Sequence, residues 1–292
     1  MKKLVVGSRE SRLAVIQSEL AIQAIRACQP ELEVELLTMK TTGDKILDRT
    51  LDQVGGKGLF VKELDAALLA GRVDLTVHSS KDLPMETDPR LPLVAFSRRA
   101  DPRDALVLPA GVTELDPAKP IGCSSLRRQL QLKALFPQMR TAPVRGNVLT
   151  RLEKLDRGEY AALVLAAAGL ERLGLEGRVS RYFSVEEMLP AAGQGILAVQ
   201  ARADFDPACL REFNDPDSRD CLLAERAFVR ALDGGCSSPV AAYATVDGAA
   251  LALTGLYVDS HGEACRQTIS GPREQGERLG AALAQDMRGE HP

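Results

Sequence analysis

The chain has 292 residues, of which 45% are hydrophobic and 26% charged, a composition typical of a globular protein with room for two or three domains. Its formal net charge of −3 argues against a general nucleic-acid-binding surface, and no apolar run approaches the length of a membrane span or of a signal peptide. We therefore expect a cytoplasmic protein that binds neither nucleic acid nor membranes. The 6 cysteines show no CxxC spacing and the 3 histidines are far apart in the sequence, so we predict free thiols and no metal centre.

Hydrophobic periodicity predicts alternating strands and helices in the first third of the chain. The predicted elements are a strand at 4–8, a helix at about 11–27, a strand at 33–39, a helix at 59–70 and a strand at 73–78. The segment 41–58 is rich in glycine and charge and has little periodicity, which indicates a long loop of the kind that often forms a lid. The strand at 73–78 leads directly into Lys81 and Asp82.

A similar unit occurs again further along the chain. The segments 63–83 and 151–173 both contain a helix, a glycine, an acidic residue and an apolar strand, in that order. Neither strand alternates strictly, as expected where helices cover both faces of a parallel sheet. Because ligands of open α/β sheets bind beyond the carboxyl ends of the strands, we expect Lys81 and Asp82 to face Arg172 across a cleft between two similar domains.

Breaks in this pattern predict the domain boundaries. A charged, proline-containing crossing at 97–102 and the break at Leu189-Pro190 separate the two units, and the apolar strand at 196–201 is predicted to rejoin the first one. The last part of the chain predicts two helices, at 219–233 and 273–288, around antiparallel strands at 240–246, 249–258 and 264–270. The predicted domains are 1–97 with 196–213, then 101–190, then 217–292.

Two helix starts carry arginines where cations are disfavoured. Ser124 and Ser125 are good N-cap residues, and Arg127 and Arg128 follow in the first helical turn, where the helix dipole is unfavourable to positive charge. The arrangement nearly recurs from Arg145 to Arg151, where Asn147 is the predicted cap. One such pair is as easily a solvated helix start as a binding site. Both together favour an anion site.

The Lys81-Asp82 pair has two interpretations. It can simply cap the turn before Pro84, which is common for such dipeptides. Alternatively, Asp82 is a cleft carboxylate that stabilises a developing cation or moves a proton. His78, inside the predicted strand, is expected to be a packed side chain rather than a catalyst.

Two further patterns need the same weighing. Gly193 to Ala198 fits a GxGxxA dinucleotide motif, but Pro190 interrupts the preceding strand and the residues after Gly195 look extended, so we reject that motif. Most lone cysteines are inert. Cys236 lies on a turn between glycines and a proline, which makes it a candidate for covalent chemistry.

Seven segments then point to one family: TTGDKILD, GGKGLFVKELDAALLAGRVDLTVHSSKDLP, SSLRRQ, RGN, AAAGLERLGL, LPAAGQG and DGGC. In this order and spacing they resemble the porphobilinogen deaminase (hydroxymethylbilane synthase) family, from about Val6 to past Cys236. The resemblance implies two α/β domains like those of periplasmic solute-binding proteins, flanking a cleft. It also implies a small α+β carboxyl-terminal domain with a three-stranded antiparallel sheet.

The activity that the resemblance implies is that of a monomeric, cytoplasmic transferase of tetrapyrrole (haem and porphyrin) biosynthesis. Such enzymes join four porphobilinogen molecules head to tail, release ammonia, and form hydroxymethylbilane on a covalent dipyrromethane primer. Here the primer would be bound by a thioether to Cys236. Asp82 matches the catalytic aspartate, which would stabilise the cation left when ammonia departs.

The resemblance also implies which residues bind the carboxylate-bearing rings. The residues implied to hold the primer are Cys236, Lys81, Asp82, Ser124, Ser125, Arg127 and Arg128. Those implied to hold the incoming ring or the growing chain are Arg9, Ser11, Arg145, Arg151, Arg172 and Gln194. Lys57 and Phe60 are implied at the end of the lid.

Two positions depart from the family pattern. Cys123 stands where the family usually has threonine, which weakens one primer contact and places a second thiol near the site. Gln53 stands where a lysine is frequent.

Two rival functions remain. The rivals are a non-catalytic, two-lobed binding module for a polycarboxylate, and a transferase without a covalent primer. The binding module gives no reason for Asp82 at a strand end or for Cys236.

Overall fold

The computed structural model describes residues 3–45, 58–234, 238–258 and 263–289. Gln53, Lys57 and Cys236 lie outside the described residues, as does most of the segment predicted to be a lid. The strands are β1 (Lys3–Arg9), β2 (Glu33–Met39), β3 (Leu75–Ser79), β4 (Leu93–Phe96), β5 (Asp104–Val107), β6 (Ile121–Gly122), β7 (Thr141–Ala142), β8 (Ala162–Ala166), β9 (Arg181–Tyr182), β10 (Leu197–Ala201), β11 (Ala241–Asp247), β12 (Ala250–Val258) and β13 (Ala264–Pro272). The helices are α1 (Arg12–Cys28), α2 (Thr42–Lys45), α3 (Lys62–Leu69), α4 (Leu126–Leu135), α5 (Val148–Asp156), α6 (Ala167–Arg172), α7 (Pro216–Ala231) and α8 (Gly276–Arg288).

Two five-stranded sheets share one topology. Their strand orders are β2-β1-β3-β10-β4 and β7-β6-β8-β5-β9. In each sheet the central strand (β3 or β8) runs parallel to its neighbour on one side and antiparallel to the strand inserted on the other. The repeated unit predicted from the sequence is therefore confirmed as a pair of equivalent α/β sheets. The first four residues of β3 and of β8 are buried, as the unbroken apolar runs indicate.

The two sheets exchange their antiparallel strands through adjacent crossings. β5 follows the crossing at 97–103, and β10 returns to the first sheet after the crossing at 183–196. The crossings are hydrogen bonded to each other, with the Ala100 amide donating to the Gly195 carbonyl at 3.2 Å. Gly195 has φ +91°, and a side chain there would place Cβ 2.5 Å from the Ala100 carbonyl oxygen. Because β10 is a strand, the rejection of a dinucleotide motif at this point is confirmed.

The third sheet is antiparallel, in the order β11-β12-β13, and α7 and α8 pack on it. Phe228 of α7 is fully buried against this sheet, and Gly255 of β12 leaves room for its ring. α7 begins earlier than predicted because the Asp215 carboxylate accepts a hydrogen bond from the Ser218 amide at 2.7 Å and so caps the helix. The predicted fold class, two α/β domains and a small α+β domain, is thereby confirmed.

The strands of the three sheets come from separate parts of the chain. Those of the first sheet lie within 3–96 and 197–201, those of the second within 104–182, and those of the third within 241–272. The domain ranges 1–97 with 196–213, 101–190 and 217–292 stay a prediction.

A buried carboxylate on α7 joins the third domain to the crossings. Glu225 is fully buried and accepts hydrogen bonds from the amides of Gly193 and Ala244, both at 2.7 Å. It also forms an ion pair with Arg99 at 2.6 Å. Burial raises the pKa of Glu225 even though Arg99 acts in the opposite direction. The sequence analysis missed this residue because one glutamate in an amphipathic helix has no distinguishing pattern.

Candidate active site

Asp82 lies where β3 ends, in a pocket between the two α/β domains. β3 stops at Ser79 and a short 3₁₀ turn, Ser80–Asp82, brings the exposed Asp82 side chain to the mouth of the cleft. The opposite wall comes from the end of β8 and the start of α6. The predicted site residues that line this one pocket are Lys81, Asp82, Arg128, Arg151 and Arg172. The expectation that the two strand ends face each other is confirmed.

The anion beside the first turn of α4 is a side chain of the protein itself. Asp104, the first residue of β5, is fully buried and forms ion pairs with Arg127 at 2.8 Å and Arg128 at 2.6 Å. Burial alone would raise the pKa of Asp104, but the two guanidiniums hold it well below its usual range. Both arginines also donate to carbonyl oxygens, Arg127 to Leu189 at 2.7 Å and Arg128 to Val164 at 3.0 Å. The pattern predicted an anion here, and the protein supplies one.

Gln194 connects this cluster to the domain that carries Asp82. Its fully buried amide donates to the Asp104 carboxylate at 2.9 Å and to the Pro102 carbonyl at 2.7 Å. Its amide oxygen accepts a hydrogen bond from the Lys81 ammonium at 3.3 Å. The structure therefore places Gln194 as a bridge inside the protein rather than on the wall of the pocket.

Lys81, like Arg151 and Arg172, is a cation of the pocket whose pKa is strongly lowered. Burial and the neighbouring Arg128 lower its pKa to about 8, and the charges of Asp82 and Asp104 oppose that shift. Lys81 therefore changes its charge near neutral pH, unlike an ordinary lysine.

The second arginine-bearing helix start faces the same pocket with a different local structure. Asn147 caps α5 by accepting the Thr150 amide at 3.0 Å, and Arg151 donates to the Gly146 carbonyl at 2.8 Å. Burial lowers the pKa of Arg151 to about 10, and the positive charges of Arg128 and Arg145 add to this effect. The guanidinium of Arg151 thus lies in a positive field that a bound anion would relieve.

Arg172 forms the far wall of the pocket, and Arg145 lies behind Arg151. Arg172 donates to the Gly195 carbonyl at 2.7 Å, and burial lowers its pKa to about 10. Arg145 is half-buried and does not line the pocket, although its charge acts on Arg151.

Arg9, Ser11 and Phe60 form a group at the start of α1. Arg9 stacks over the Phe60 ring at 4.3 Å from its centroid, a cation–π contact that joins β1 to the end of the predicted lid. Ser11 caps α1 by accepting the Ala14 amide at 3.4 Å. None of the three lines the pocket that contains Asp82.

The serines and the cysteine before α4 differ in role. Ser124 exchanges hydrogen bonds with the backbone of Val144, donating at 2.8 Å and accepting at 2.9 Å, so it ties two loops together. Ser125 is the N-cap residue, but its side chain makes no capping bond. Cys123 is buried in the core, its thiol points to the Ser125 carbonyl at 3.6 Å, and burial raises its thiol pKa. A buried thiol of raised pKa is a poor nucleophile.

Asp104 and the pair Gln17 and Ser79 belong to the site but were not predicted from the sequence. Asp104 has a detectable signal, since it is the one charged residue that starts an otherwise apolar strand just after a crossing. Gln17 of α1 and Ser79 of β3 are hydrogen bonded at 3.0 Å and both line the pocket, next to Asp82. Gln17 had no signal, because one amide on a helix face is common. His78 is buried, and its ring nitrogen lies 2.8 Å from the Thr76 hydroxyl, as expected for a packed histidine.

The described part of the chain has neither a cluster of metal-binding side chains nor a helix that could span a membrane. Within residues 3–45, 58–234, 238–258 and 263–289, no three His, Cys, Asp or Glu side chains cluster in a way that would hold a metal ion. Over the same residues, no helix has the length and apolar character needed to cross a bilayer.

Family models match most of the chain. The family model described as "Porphobilinogen deaminase, dipyromethane cofactor binding domain" matches residues 4–209, and that of the "Porphobilinogen deaminase, C-terminal domain" matches residues 220–289. Among solved structures, the periplasmic aliphatic sulphonate binding protein SsuA from Escherichia coli is 12% identical, with a TM-score of 0.42 over 80% of this chain and 71% of that one.

Curated proteins are similar over almost the whole length. The porphobilinogen deaminase of Acetivibrio thermocellus is 60% identical, covering 98% of this chain and 98% of that protein. That of Alkaliphilus oremlandii is also 60% identical, covering 99% of this chain and 97% of that protein. A non-catalytic, two-lobed binding module is therefore not favoured. The chain belongs to the porphobilinogen deaminase family, and its residues 4–209 match the dipyrromethane cofactor binding domain of that family.

Proposed function

We propose that this chain is a transferase that joins four porphobilinogen molecules head to tail into hydroxymethylbilane, with release of ammonia. The observation that carries the proposal is one pocket in which the Asp82 carboxylate lies among the cations Lys81, Arg128, Arg151 and Arg172. A pocket of this kind suits a substrate that carries carboxylates on its rim and develops positive charge at its reacting carbon.

The side chains of the pocket fit a dipyrromethane cofactor and a growing chain of the same chemistry. Each pyrrole ring of this type carries an acetate and a propionate, so every ring brings two negative charges. Arginines bind carboxylates with paired hydrogen bonds, and Arg151 and Arg172 each have one donor group engaged with a backbone carbonyl. The lowered pKa of both arginines favours binding of an anion, because a nearby negative charge would stabilise the charged guanidinium.

Asp82 is proposed as the catalytic residue. When ammonia leaves porphobilinogen, the carbon–nitrogen bond of its aminomethyl group breaks and a cationic methylene-pyrrole remains. The exposed carboxylate of Asp82 stabilises this cation through its charge and accepts a hydrogen bond from the pyrrole N–H. When bound, the primer would supply the terminal pyrrole carbon that joins the methylene carbon of the substrate and gives up one proton. We propose that Asp82 takes up that proton and passes it on.

The residues that hold the cofactor divide into direct and indirect contacts in our proposal. Lys81, Arg128 and Asp82 reach the pocket and would contact the cofactor. Arg127 and Ser124 act from within the protein, because both are engaged with backbone groups or Asp104.

The thioether to Cys236 is proposed on chemical grounds. In the sequence Cys236 follows Gly234 and Gly235 and comes shortly before Pro239, a pattern that predicts a sterically open thiol. The competing thiol is Cys123, whose burial and raised pKa disfavour it.

Intact-protein mass spectrometry of the parent and of Cys236→Ser tests the proposed function. We expect the parent to carry the extra mass of two linked pyrrole units and the variant to carry none and to be inactive with porphobilinogen. Cys123→Ser is the matched control and should keep both the adduct and the activity. A parent that lacks the adduct even after incubation with porphobilinogen would refute the proposal, and an adduct retained in Cys236→Ser would refute the thioether.

Asp82→Glu tests the catalytic residue. It keeps the charge but moves it by about one bond length, and we expect turnover to fall about 100-fold, since misplacing a catalytic group by roughly 1 Å has effects of this size. The adduct mass should persist, which separates loss of chemistry from loss of cofactor. Turnover equal to that of the parent would exclude Asp82 from this role. A monomeric state and a cytoplasmic location are part of the proposal, to be checked by light scattering and by fractionation.

A further inference from the structure

We propose that Asp104 is a positioning residue of the transferase, a buried carboxylate that orients Arg127 and Arg128 and, through Gln194, the ammonium of Lys81. This inference rests on the proposed function, because it assigns the residue that aligns the cations of the same site. Asp104 itself does not line the pocket.

The contacts of Asp104 reach both walls of the cleft. Arg128 approaches Oδ1 with two donors, at 2.6 and 3.1 Å, and Arg127 pairs with Oδ2 at 2.8 Å. The side chains of Asp104, Arg127 and Arg128 are between 0 and 10% exposed, so solvent screens these ion pairs little. Two guanidiniums held by one carboxylate have a fixed orientation, and Arg128 therefore presents a defined edge to the pocket.

Through Gln194, Asp104 is also linked to the domain that carries Asp82. Gln194 uses its amide nitrogen for Asp104 and Pro102, which leaves its oxygen to accept from Lys81. This assignment admits a single orientation of the amide, because two acceptors face its nitrogen and one donor faces its oxygen. Gly193, with φ +74°, holds the bridge close, since a Cβ there would lie 2.8 Å from the side chain of Ser80.

The charges around Lys81 indicate what Asp104 does to it. Asp82 adjoins Lys81 on its own turn, Arg127 and Arg128 face it from α4, and Asp104 faces it from β5. The two carboxylates favour the protonated ammonium, and burial together with the two arginines opposes it. If Asp104 loses its charge, Lys81 is left facing two arginines with only Asp82 to offset them. Its proton should then be lost at a lower pH.

The test measures the titration of Lys81 directly. The holoenzyme is labelled with acetic anhydride over a range of pH, and peptide mass spectrometry gives the midpoint at which Lys81 becomes reactive. We expect the midpoint in Asp104→Asn to lie about one pH unit below that of the parent, which is a roughly tenfold weaker proton affinity. Asp101→Asn is the control, because Asp101 pairs with Arg103 on the surface, three residues earlier in the same crossing. It should leave the midpoint unchanged.

Two outcomes would overturn the proposal. One is a folded Asp104→Asn whose Lys81 midpoint equals that of the parent, and the other is an equal shift in Asp101→Asn. The labelling needs no turnover, so its result is independent of whether the proposed reaction is correct. The alkaline limb of the pH profile of kcat/KM should move with the labelling midpoint, which a purely structural role of Asp104 would not produce.

A charge-balanced double variant covers the case in which Asp104→Asn does not fold. Asp104→Asn/Arg127→Gln removes one buried charge of each sign, so we expect it to be more stable than the single variant and to have a Lys81 midpoint closer to that of the parent. A double variant no more stable than Asp104→Asn would show that Asp104 does not act through the arginines, and the proposal would fall.

Discussion

The two arginine-bearing helix starts look alike in the sequence and differ in the structure. At the start of α4, Arg127 and Arg128 are buried and paired with Asp104. At the start of α5, Asn147 makes the cap, and Arg151 lines the pocket with a pKa lowered by burial and by its positive neighbours. At the first helix start one internal carboxylate offsets part of the charge of two guanidiniums. The guanidinium of Arg151 at the second lies in a positive field that a ligand can relieve.

This difference shows that a cation in the first helical turn indicates an anion without saying whose anion it is. The counter-charge of α4 comes from a strand of the same domain, about twenty residues earlier in the chain. The helix start of α5 faces the cleft, where the carboxylate that acts on Arg151 is Asp82 of the other domain. The same short pattern therefore faces the pocket in both places, but at α4 its arginines are also held by an internal ion pair.

The largest effect should come from breaking the internal pair. Asp104→Asn leaves two buried guanidiniums without a counter-charge, and we expect the free energy of unfolding to fall by about 3–5 kcal/mol, the usual result of breaking a buried ion pair. Urea denaturation measures this. Asp101→Asn breaks a surface pair and should cost less than about 1 kcal/mol. Equal losses in the two variants would contradict the distinction between buried and exposed pairs.

The complementary effect should appear at α5, in binding rather than in stability. Arg151→Gln removes one charged donor from the pocket, so we expect KM for porphobilinogen to rise between about 10- and 100-fold, as for loss of a charge-assisted hydrogen bond. The free energy of unfolding in urea should change by less than about 1 kcal/mol, since the side chain donates one hydrogen bond to the backbone, at Gly146. A destabilisation like that of Asp104→Asn, with KM unchanged, would mean that Arg151 is structural.

The pH dependence should distinguish the two sides of the pocket. The folded-state pKa of Lys81 is about 8 and that of Arg151 about 10, so as pH rises through about 8 the wall that carries Lys81 and Asp82 loses a positive charge, and Arg151 on the opposite wall keeps its own. We expect kcat/KM to fall over that range and the fall to move to higher pH in Lys81→Arg.

Unfolding does not explain such a fall in activity. Because the folded-state pKa of Lys81 lies below its ordinary value of 10.5, the unfolded chain binds more protons between about pH 8 and 10.5, and this group alone makes the protein more stable as pH rises there. A loss of activity that coincides with loss of the circular dichroism signal would contradict our assignment.

The smallest effects should come from the caps themselves. Asn147→Ala removes a side chain that accepts the Thr150 amide, and we expect a loss of about 1 kcal/mol in thermal or urea unfolding. Ser125→Ala removes a side chain that makes no capping bond, so its stability should change by less than about 0.5 kcal/mol. If Ser125 contacts the cofactor, the same variant should still bind porphobilinogen more weakly. Equal stability losses at both caps would remove this contrast.

Local patterns were enough to predict most of the fold. The apolar runs of β3 and β8 and the repeated helix–glycine–strand unit predicted two like α/β domains, because the burial of both faces of a parallel strand leaves a direct mark on residue choice. The return of 196–201 to the first sheet was also predictable, since β10 is apolar along its whole length. Element ends were less accurate, as for α7, where the cap at Asp215 extends the helix.

The candidate site divides along a similar line. The sequence alone predicted that Lys81, Asp82 and Arg172 face one cleft, as they do. In open α/β sheets ligands bind beyond the carboxyl ends of the strands, and the family motifs mark those ends. Which arginines reach that cleft, and which are held by Asp104 and Gln194, was decided only by the tertiary structure. The physical reason is that the strength of an ion pair or a hydrogen bond depends on distance and burial. Asp104 and Gln194 are ninety positions apart in the chain, and their polar atoms come within 2.9 Å only because the two crossings pack side by side.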